Sequence, residues 1–392
     1  MTTCRSDKKL VLGIDASRSA TRVKTGVEKY SDEIIAALLV RACPAVAVAH
    51  KFVPGNKCDV RLYTPRVIPQ FPREVQRVLW FPRLWTALRL SAEMLLRKPD
   101  VLFVPAHILP FFAPERSFTV VHDIAFMKAP AVYSRFQRWY LTWSTKRALK
   151  NCKKIIVPSL SVKADLKEIF KADAEKISVI NHGVVPLPKV SCEFVREVRK
   201  KYGLKEGEPV FFFLGRIEEK KNVLALIREF SFVRACPALA VAHKQVCGAK
   251  LVLAGAPGVD AEKVEKEIKK LGLEESVICT GYISDEEVAA FFKIATAFIY
   301  PSMEEGFGLP ILQSFEAGCP VICSEILSSM EVAGKAALYF GPRESGALAG
   351  AMREILKRPE LRETLVAAGA ERVKLFSWEK AGEEVLSLLM QG

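Results

Sequence analysis

The chain has no run of 18 apolar residues, so it encodes no membrane-spanning helix. Its ten cysteines form no Cys-x-x-Cys pair and no Cys/His cluster at zinc-ligand spacing. A structural zinc site and a disulfide framework are therefore not expected, and scattered thiols fit small core fillers in a reducing cytoplasm. There is no Gly-x-Gly-x-x-Gly, which removes the fingerprint of a nicotinamide-dinucleotide oxidoreductase. No Asp-x-Asp occurs, so a divalent cation held by paired aspartates is not encoded either. The opening MTTCRSDKK leads straight into an apolar strand-like run at residues 10–14, without the features of a secretory leader, so none is expected.

What is present describes a globular protein: 392 residues, 50% hydrophobic and 26% charged, long enough for two domains. The charge is uneven. Residues 1–190 hold 32 Lys and Arg against 15 Asp and Glu, whereas residues 191–392 hold 26 against 29. A basic half beside a near-neutral half implies that one domain meets something anionic. An internal repeat is also present: VRACPAVAVAHK at 40–51 and VRACPALAVAHK at 233–244, matching at eleven of twelve positions. Both copies follow a helical pattern and precede a strand pattern, as expected of insertions in equivalent surface loops. His50 and His243 lie inside them and are discounted as catalytic.

The stretch from 297 to 324, AFIYPSMEEGFGLPILQSFEAGCPVICS, organises the second half. It reads as a buried strand, a turn-rich loop with Glu304 and Glu305, a helix from Leu309, and another strand after Gly318 and Pro320. A glycine-flanked loop running into a helix presents free backbone N–H groups and a positive dipole end, which suit a diphosphate. Upstream, PVFFFL (209–214) is a fully buried strand, followed by Gly215, Arg216, Lys221 and a helix at 223–230. Arg and Lys around one strand-to-helix turn can converge on a diphosphate, the first as a fork and the second as a point charge.

The first half opens as strand, polar loop, glycine and helix: residues 9–14, then Gly26, then 27–39 with apolar positions Val27, Tyr30, Ile34, Ile35, Leu38 and Leu39 at helical spacing. Strands at 101–105 and 118–122 end at His107 and at His122-Asp123, where an open α/β sheet places its ligand crevice. Residues 66–98 are rich in Arg, Pro and aromatics. We read them as a basic amphipathic helix, packed on the sheet or lying at a membrane interface, and a second basic-aromatic stretch follows at 135–154.

These motifs resemble, in order along nearly the whole chain, the retaining glycosyltransferases of family 4 (GT-B fold, glycosyl transferases group 1). The resemblance implies an α/β fold of two Rossmann-like domains facing across a cleft, with a C-terminal helix crossing back to the first. The expected domains are 1–185 on the acceptor side, a linker at 186–190, a nucleotide-sugar domain at 191–375, and a crossover helix at 376–392. The donor diphosphate would be held by Gly26, Arg216, Lys221, Gly306, Phe307, Gly308 and Leu309. His122, Asp123 and Glu305 would be catalytic, with His122 on the donor sugar, Asp123 orienting its ring and Glu305 on sugar hydroxyls. Ribose and base would meet Gln313, Tyr282 and Ile283. The family has a second Glu eight positions after the first; here Gln313 stands in its place, which implies weaker ribose binding.

The implied activity is transfer of a hexose from a nucleotide-sugar to a saccharide or lipid-linked acceptor, with no metal and no cofactor. GDP-mannose is the favoured donor and a UDP-sugar the second. A nucleotide-sugar-binding relative of epimerase or phosphorylase type is the alternative. A basic nucleic-acid-binding module without catalysis is the second, and no nucleic-acid partner is expected. The expected location is cytoplasmic and peripheral on the inner membrane face, with residues 66–98 toward an anionic membrane surface.

Overall fold

Strand β8 (Val210–Leu214) shows how the second half is built. Phe211, Phe212 and Phe213 are all fully buried, because a central parallel strand is covered on both faces. Phe212 packs against Phe291 and Phe292, with ring centroids 5.2 Å away in each case, on one face; Phe211 meets Phe230 at 6.3 Å. The computed structural model describes residues 9–21, 24, 26–42, 58–81, 84–106, 108–128, 130, 133–234 and 248–391. Most of both repeat copies, with His50 and His243, and also His107, lie outside the described residues.

The chain divides into two units, 1–124 with 135–183 and 376–392, and 125–134 with 184–375. The first contains a seven-stranded sheet in the order β3-β2-β1-β4-β5-β6-β7, where β6 is Lys154–Val157 and β7 Ile177–Val179; the second contains a six-stranded sheet in the order β10-β9-β8-β11-β12-β13, where β12 is Val321–Ser324 and β13 Ala337–Phe340. Every pairing is parallel, as in β1 (Val11–Asp15) with β2 (Asp59–Thr64) and β4 (Val101–Val104). In both sheets the chain builds outward from a central strand, then returns to that strand's other side. The reversal falls between β1 and β4 in the first sheet, and between β8 and β11 (Ala297–Tyr300) in the second. Ligands of open α/β sheets bind at such points.

Helix Gly26–Ala42 buries Tyr30, Ile34, Ile35, Leu38 and Leu39, the stripe its spacing predicts. The last helix, Trp378–Met390, belongs to the first unit and packs on Gly26–Ala42. A Cβ on Gly382 would come within 2.7 Å of the Ala37 Cβ, so the two helices touch where only glycine fits. Ser159 caps helix Leu160–Phe170 by accepting from the Val162 N–H at 3.2 Å.

Two sequence expectations change. Residues 66–98 are not one amphipathic helix. They contain β3 (Gln76–Val78), a π-turn at Thr86–Leu90 and a short helix at Ser91–Arg97. Pro69, Pro72 and Pro82 forbid a continuous helix. The Gln76 amide closes the preceding loop, donating to the carbonyls of Ile68 and Phe71 at 2.9 and 2.7 Å. Trp85 is therefore buried, while Trp80 is exposed. Second, residues 125–134, expected in the first domain, group with the second unit. There Lys128 pairs with Glu304 at 2.8 Å, and Phe126 meets Tyr133 edge-on.

In the second unit the buried Glu229 carboxylate accepts from the N–H groups of Gly346 and Ala349, at 2.8 and 3.0 Å. It thereby caps helix Ala347–Lys357 from a different segment. Glu229→Ala leaves two buried donors unmatched and is expected to cost about 2 kcal/mol. Urea unfolding followed by intrinsic fluorescence measures this, and a loss under about 0.5 kcal/mol would deny the cap its role.

Candidate functional site

In the second unit, β8 and β11 are neighbours, with Ala297 opposite Phe211 and Phe298 opposite Phe212. The turn after β8 and the loop after β11 therefore lie side by side at the sheet's reversal point. The Met303 N–H donates to the Lys220 carbonyl at 2.8 Å and ties them together. Lys221 ion-pairs with Glu305, and its Nζ lies 5.3 Å from the centroid of the Tyr300 ring. Both side chains of the pair are largely buried. Burial pushes the Tyr300 hydroxyl well above its ordinary pKa, and the charge of Glu305 and a hydrogen bond to it act in the same direction. Arg216 is different: its side chain is 63% exposed and, among the described residues, pairs with Glu218 at 3.2 Å. One cation of the turn is thus held inward and the other stands at the surface.

Backbone geometry fixes this turn. Asn222 takes a left-handed conformation, φ 56°, at the junction with helix Val223–Arg234. Gly255, φ +143°, lies so close to the Gly215 carbonyl that a Cβ there would collide with it, and Gly258 does the same at the Ile217 carbonyl. Two glycines in the turn after β9 (Lys250–Ala254) thus press against the backbone that carries Arg216. No local pattern reports this contact, since it joins residues about 40 apart.

Gly306, Phe307 and Gly308 are buried, and Gly308, φ +127°, starts helix Leu309–Glu316, with Pro310 in its first turn. Gln313 is buried one turn along. Glu316, the nearest acid on that helix, accepts a hydrogen bond from the Leu187 backbone, and burial raises its pKa. After β10 (Val277–Gly281), Tyr282 is exposed and Ile283 buried. Lys221 and Glu305 are thus brought into contact, with Arg216 on one of the two adjoining loops and 306–308 on the other, whereas Tyr282 and Ile283 follow a strand two places from β8.

In the first unit, His122 follows β5 (Ser117–Val120) and is buried. Its Nε2 meets the Pro105 carbonyl at 2.8 Å. A carbonyl can only accept, so this nitrogen carries the proton and the ring is held by the backbone after β4. Asp123 is half-buried beside it. Gly26 opens its helix with no atom of the other described residues within 4 Å of the space a Cβ would fill. The group around His122 joins residues that lie far apart in the sequence. Tyr30 packs edge-on against it with centroids 4.7 Å apart, His182 lies 5.6 Å away, and Trp378 stacks on His182 at 5.9 Å. Gly183 is required next to His182, because a Cβ there would run into the Trp378 backbone. Among the described residues no group of three or more His, Cys, Asp or Glu is placed to hold a metal ion. No described helix is long and apolar enough to cross a membrane.

Burial, and secondarily His122, hold the His182 pKa well below its usual value, so the folded ring stays neutral. The unfolded ring takes up a proton below about pH 6.5, which the folded ring refuses. Stability is therefore unaffected above that pH and falls as pH drops through it, by up to about 1.4 kcal/mol per unit. His182→Phe is expected to flatten the fall between pH 7 and 5 in thermal denaturation; an unchanged slope would contradict a buried neutral ring.

The comparisons with known proteins agree with this architecture. Residues 24–186 match the family described as Glycosyltransferase Family 4, and residues 194–372 match Glycosyl transferases group 1. The chain is 25% identical over 381 residues to the O-antigen chain mannosyltransferase B of Escherichia coli, covering 93% of this chain and 95% of that protein. Among solved structures, WaaG, a glycosyltransferase involved in lipopolysaccharide biosynthesis, superposes with TM-score 0.73 at 14% identity over 98% of this chain and all of that one. Anabaena HepE in complex with UDP-glucose gives 0.71 at 16% identity over 98% and 100%. The chain belongs to the group 1, family 4-type glycosyltransferases of GT-B fold, and is a hexosyltransferase enzyme.

Proposed function

We propose that the protein transfers mannose from GDP-mannose to a saccharide or lipid-linked acceptor, with retention of anomeric configuration and without a metal or cofactor. The observation that carries this is the joining of the two strand-end loops at the reversal point of the second sheet, through the Lys221–Glu305 pair and the bond from Met303 to Lys220, with Arg216 on one loop and the 306–308 amides on the other. Mannose is favoured by the likeness to an O-antigen mannosyltransferase; a UDP-sugar is the second reading, favoured by the likeness to a UDP-glucose complex. The sequence supports metal independence through its want of an Asp-x-Asp.

The electrostatic task is to stabilise a departing nucleoside diphosphate. Arg216 supplies a fork from the surface, and the start of helix Leu309–Glu316 supplies N–H groups. Before donor arrives, Lys221 neutralises Glu305. A diphosphate gives Lys221 a second anion, which frees the Glu305 carboxylate to accept from sugar hydroxyls. The glycosidic C–O bond to phosphate breaks and the acceptor oxygen bonds to the same face of the carbon. The acceptor proton passes to the departing phosphate oxygen, so no separate base is needed. His122, its ring held by the Pro105 carbonyl, contacts the donor sugar; Asp123 supports it. Gly26 lets its loop approach the phosphates, and Gln313 accepts from a ribose hydroxyl. Phe307 and Leu309 set the loop, while Tyr282 and Ile283 border the base. The protein works in the cytoplasm, peripheral on the inner membrane face.

Arg216→Ala is expected to weaken GDP binding roughly 10- to 100-fold, with folding stability changed by under about 0.5 kcal/mol, since a charge-assisted fork is lost from an exposed position. Calorimetric titration with GDP measures it, and unchanged affinity removes Arg216 from the diphosphate site. With GDP-[14C]mannose, an α-linked product formed equally with and without EDTA is expected. An inverted linkage, or loss of activity in EDTA, overturns the retaining or the metal-free reading. Free sugar or an epimer with no transfer product favours the epimerase or phosphorylase alternative.

A further inference from the structure

Helix Arg135–Asn151 is built the wrong way round for a helix that only covers its own sheet. Of its 17 residues, those fully buried are Ser144, Thr145 and Ala148. Its large apolar side chains face out instead: Phe136 is 70% exposed, Trp139 61% and Trp143 36%. An ordinary surface helix hides such residues and shows its small polar ones. The exposed rings are also organised. Phe136 lies 6.0 Å from Trp139 and 6.4 Å from Tyr140, which in turn lies 6.0 Å from Trp143.

The array continues onto a neighbouring loop. The Phe111 ring is 6.1 Å from Trp143, and both Phe111 and Phe112 are about half exposed. Arg147 holds this loop by donating to the carbonyls of Leu109, Pro110 and Phe111 at 2.7–2.9 Å. Its guanidinium also lies 5.4 Å from the Phe111 ring centroid. On the loop's other side, the Phe111 N–H donates to Ser91 Oγ at 2.7 Å. Ser91 belongs to the segment that exposes Leu88 and Leu95, three residues before it and four after. Aliphatic and aromatic side chains from three segments thus form one outward apolar surface within the first unit.

The helix and the residues flanking it carry charge of one sign, while the neighbouring loop carries one exposed acid, Glu115, three residues beyond Phe112. Residues 124–164 contain nine Lys and Arg and no Asp or Glu. On the helix itself Arg135, Lys146 and Lys150 are exposed. Aromatic rings set among cations suit an interface between water and anionic lipid, where rings enter the headgroup layer and cations meet phosphate. Leucines in the same surface argue against a saccharide platform, which would use rings and polar groups. The positive charge of the helix and its flanks argues against a second copy of the same surface, which would repel itself.

We propose that helix Arg135–Asn151, with the loop at Phe111 and Phe112, is the surface by which the protein docks on an anionic lipid bilayer. This deepens the peripheral-membrane part of the proposed function and rests on it; the test reads lipid binding without donor. The full chain is sedimented with vesicles of phosphatidylcholine alone and with vesicles carrying 30% phosphatidylglycerol. Wild type is expected to bind the anionic vesicles, roughly tenfold or more tightly than the neutral ones at low salt, and to lose that preference at high salt. Phe136→Ser with Trp139→Ser is expected to weaken binding roughly tenfold, with GDP affinity and circular dichroism unchanged. No binding to anionic vesicles, or binding that the double variant leaves intact, overturns the proposal. So does a wild-type dimer in solution that the double variant dissolves, because the surface is then covered by a second copy. Transfer to a soluble acceptor, measured without vesicles, separates failure of this surface from failure of the transferase reading.

Discussion

The pairing of β8 with β11 is the constraint on which the second unit's site depends. Those strands are distant in sequence, and the chain adds β9 and β10 on one side before returning to place β11 on the other. Each strand leaves its own turn at the same end of the sheet. The backbone bond from Met303 to Lys220 and the Lys221–Glu305 pair are what make two loops into one polar surface. An ion pair this far from water contributes little net stability, since desolvating both charges offsets their attraction. In the proposed function its value lies in holding opposite charges ready to separate when a stronger anion arrives.

Much of this arrangement was legible in the sequence because it is local. The Phe-Phe-Phe strand, the helix stripe from Tyr30 to Leu39 and the strand-loop-helix around Gly308 each follow from neighbours within a few residues. Residues 66–98 misled because Arg and aromatic residues at helical spacing outweighed three prolines in the reading, while backbone chemistry gives the prolines the last word. The short run at 125–134 misled for another reason: its membership of the second unit is carried by the partner Glu304, which no pattern in its own ten residues reports.

The group around His122 was hidden in the same way. Tyr30, His122, His182 and Trp378 come from four separated parts of the chain, and each looks ordinary where it stands. Only the glycines left a trace. Gly183 and Gly382 are where backbone or helix approaches too closely for any side chain, and both contacts are made with or by the last helix. A reading of turns alone assigns such glycines to flexibility, when here they record contact.

That last helix sets an order of events during synthesis. It supplies Trp378, Val385, Leu386 and Leu389 to the interior of a unit whose other residues end at 183. The ribosome delivers all of residues 184–375 before it delivers this piece. The first-made portion therefore waits with one flank of Gly26–Ala42 uncovered, while the second-made portion has all its own strands in hand and can finish ahead of it.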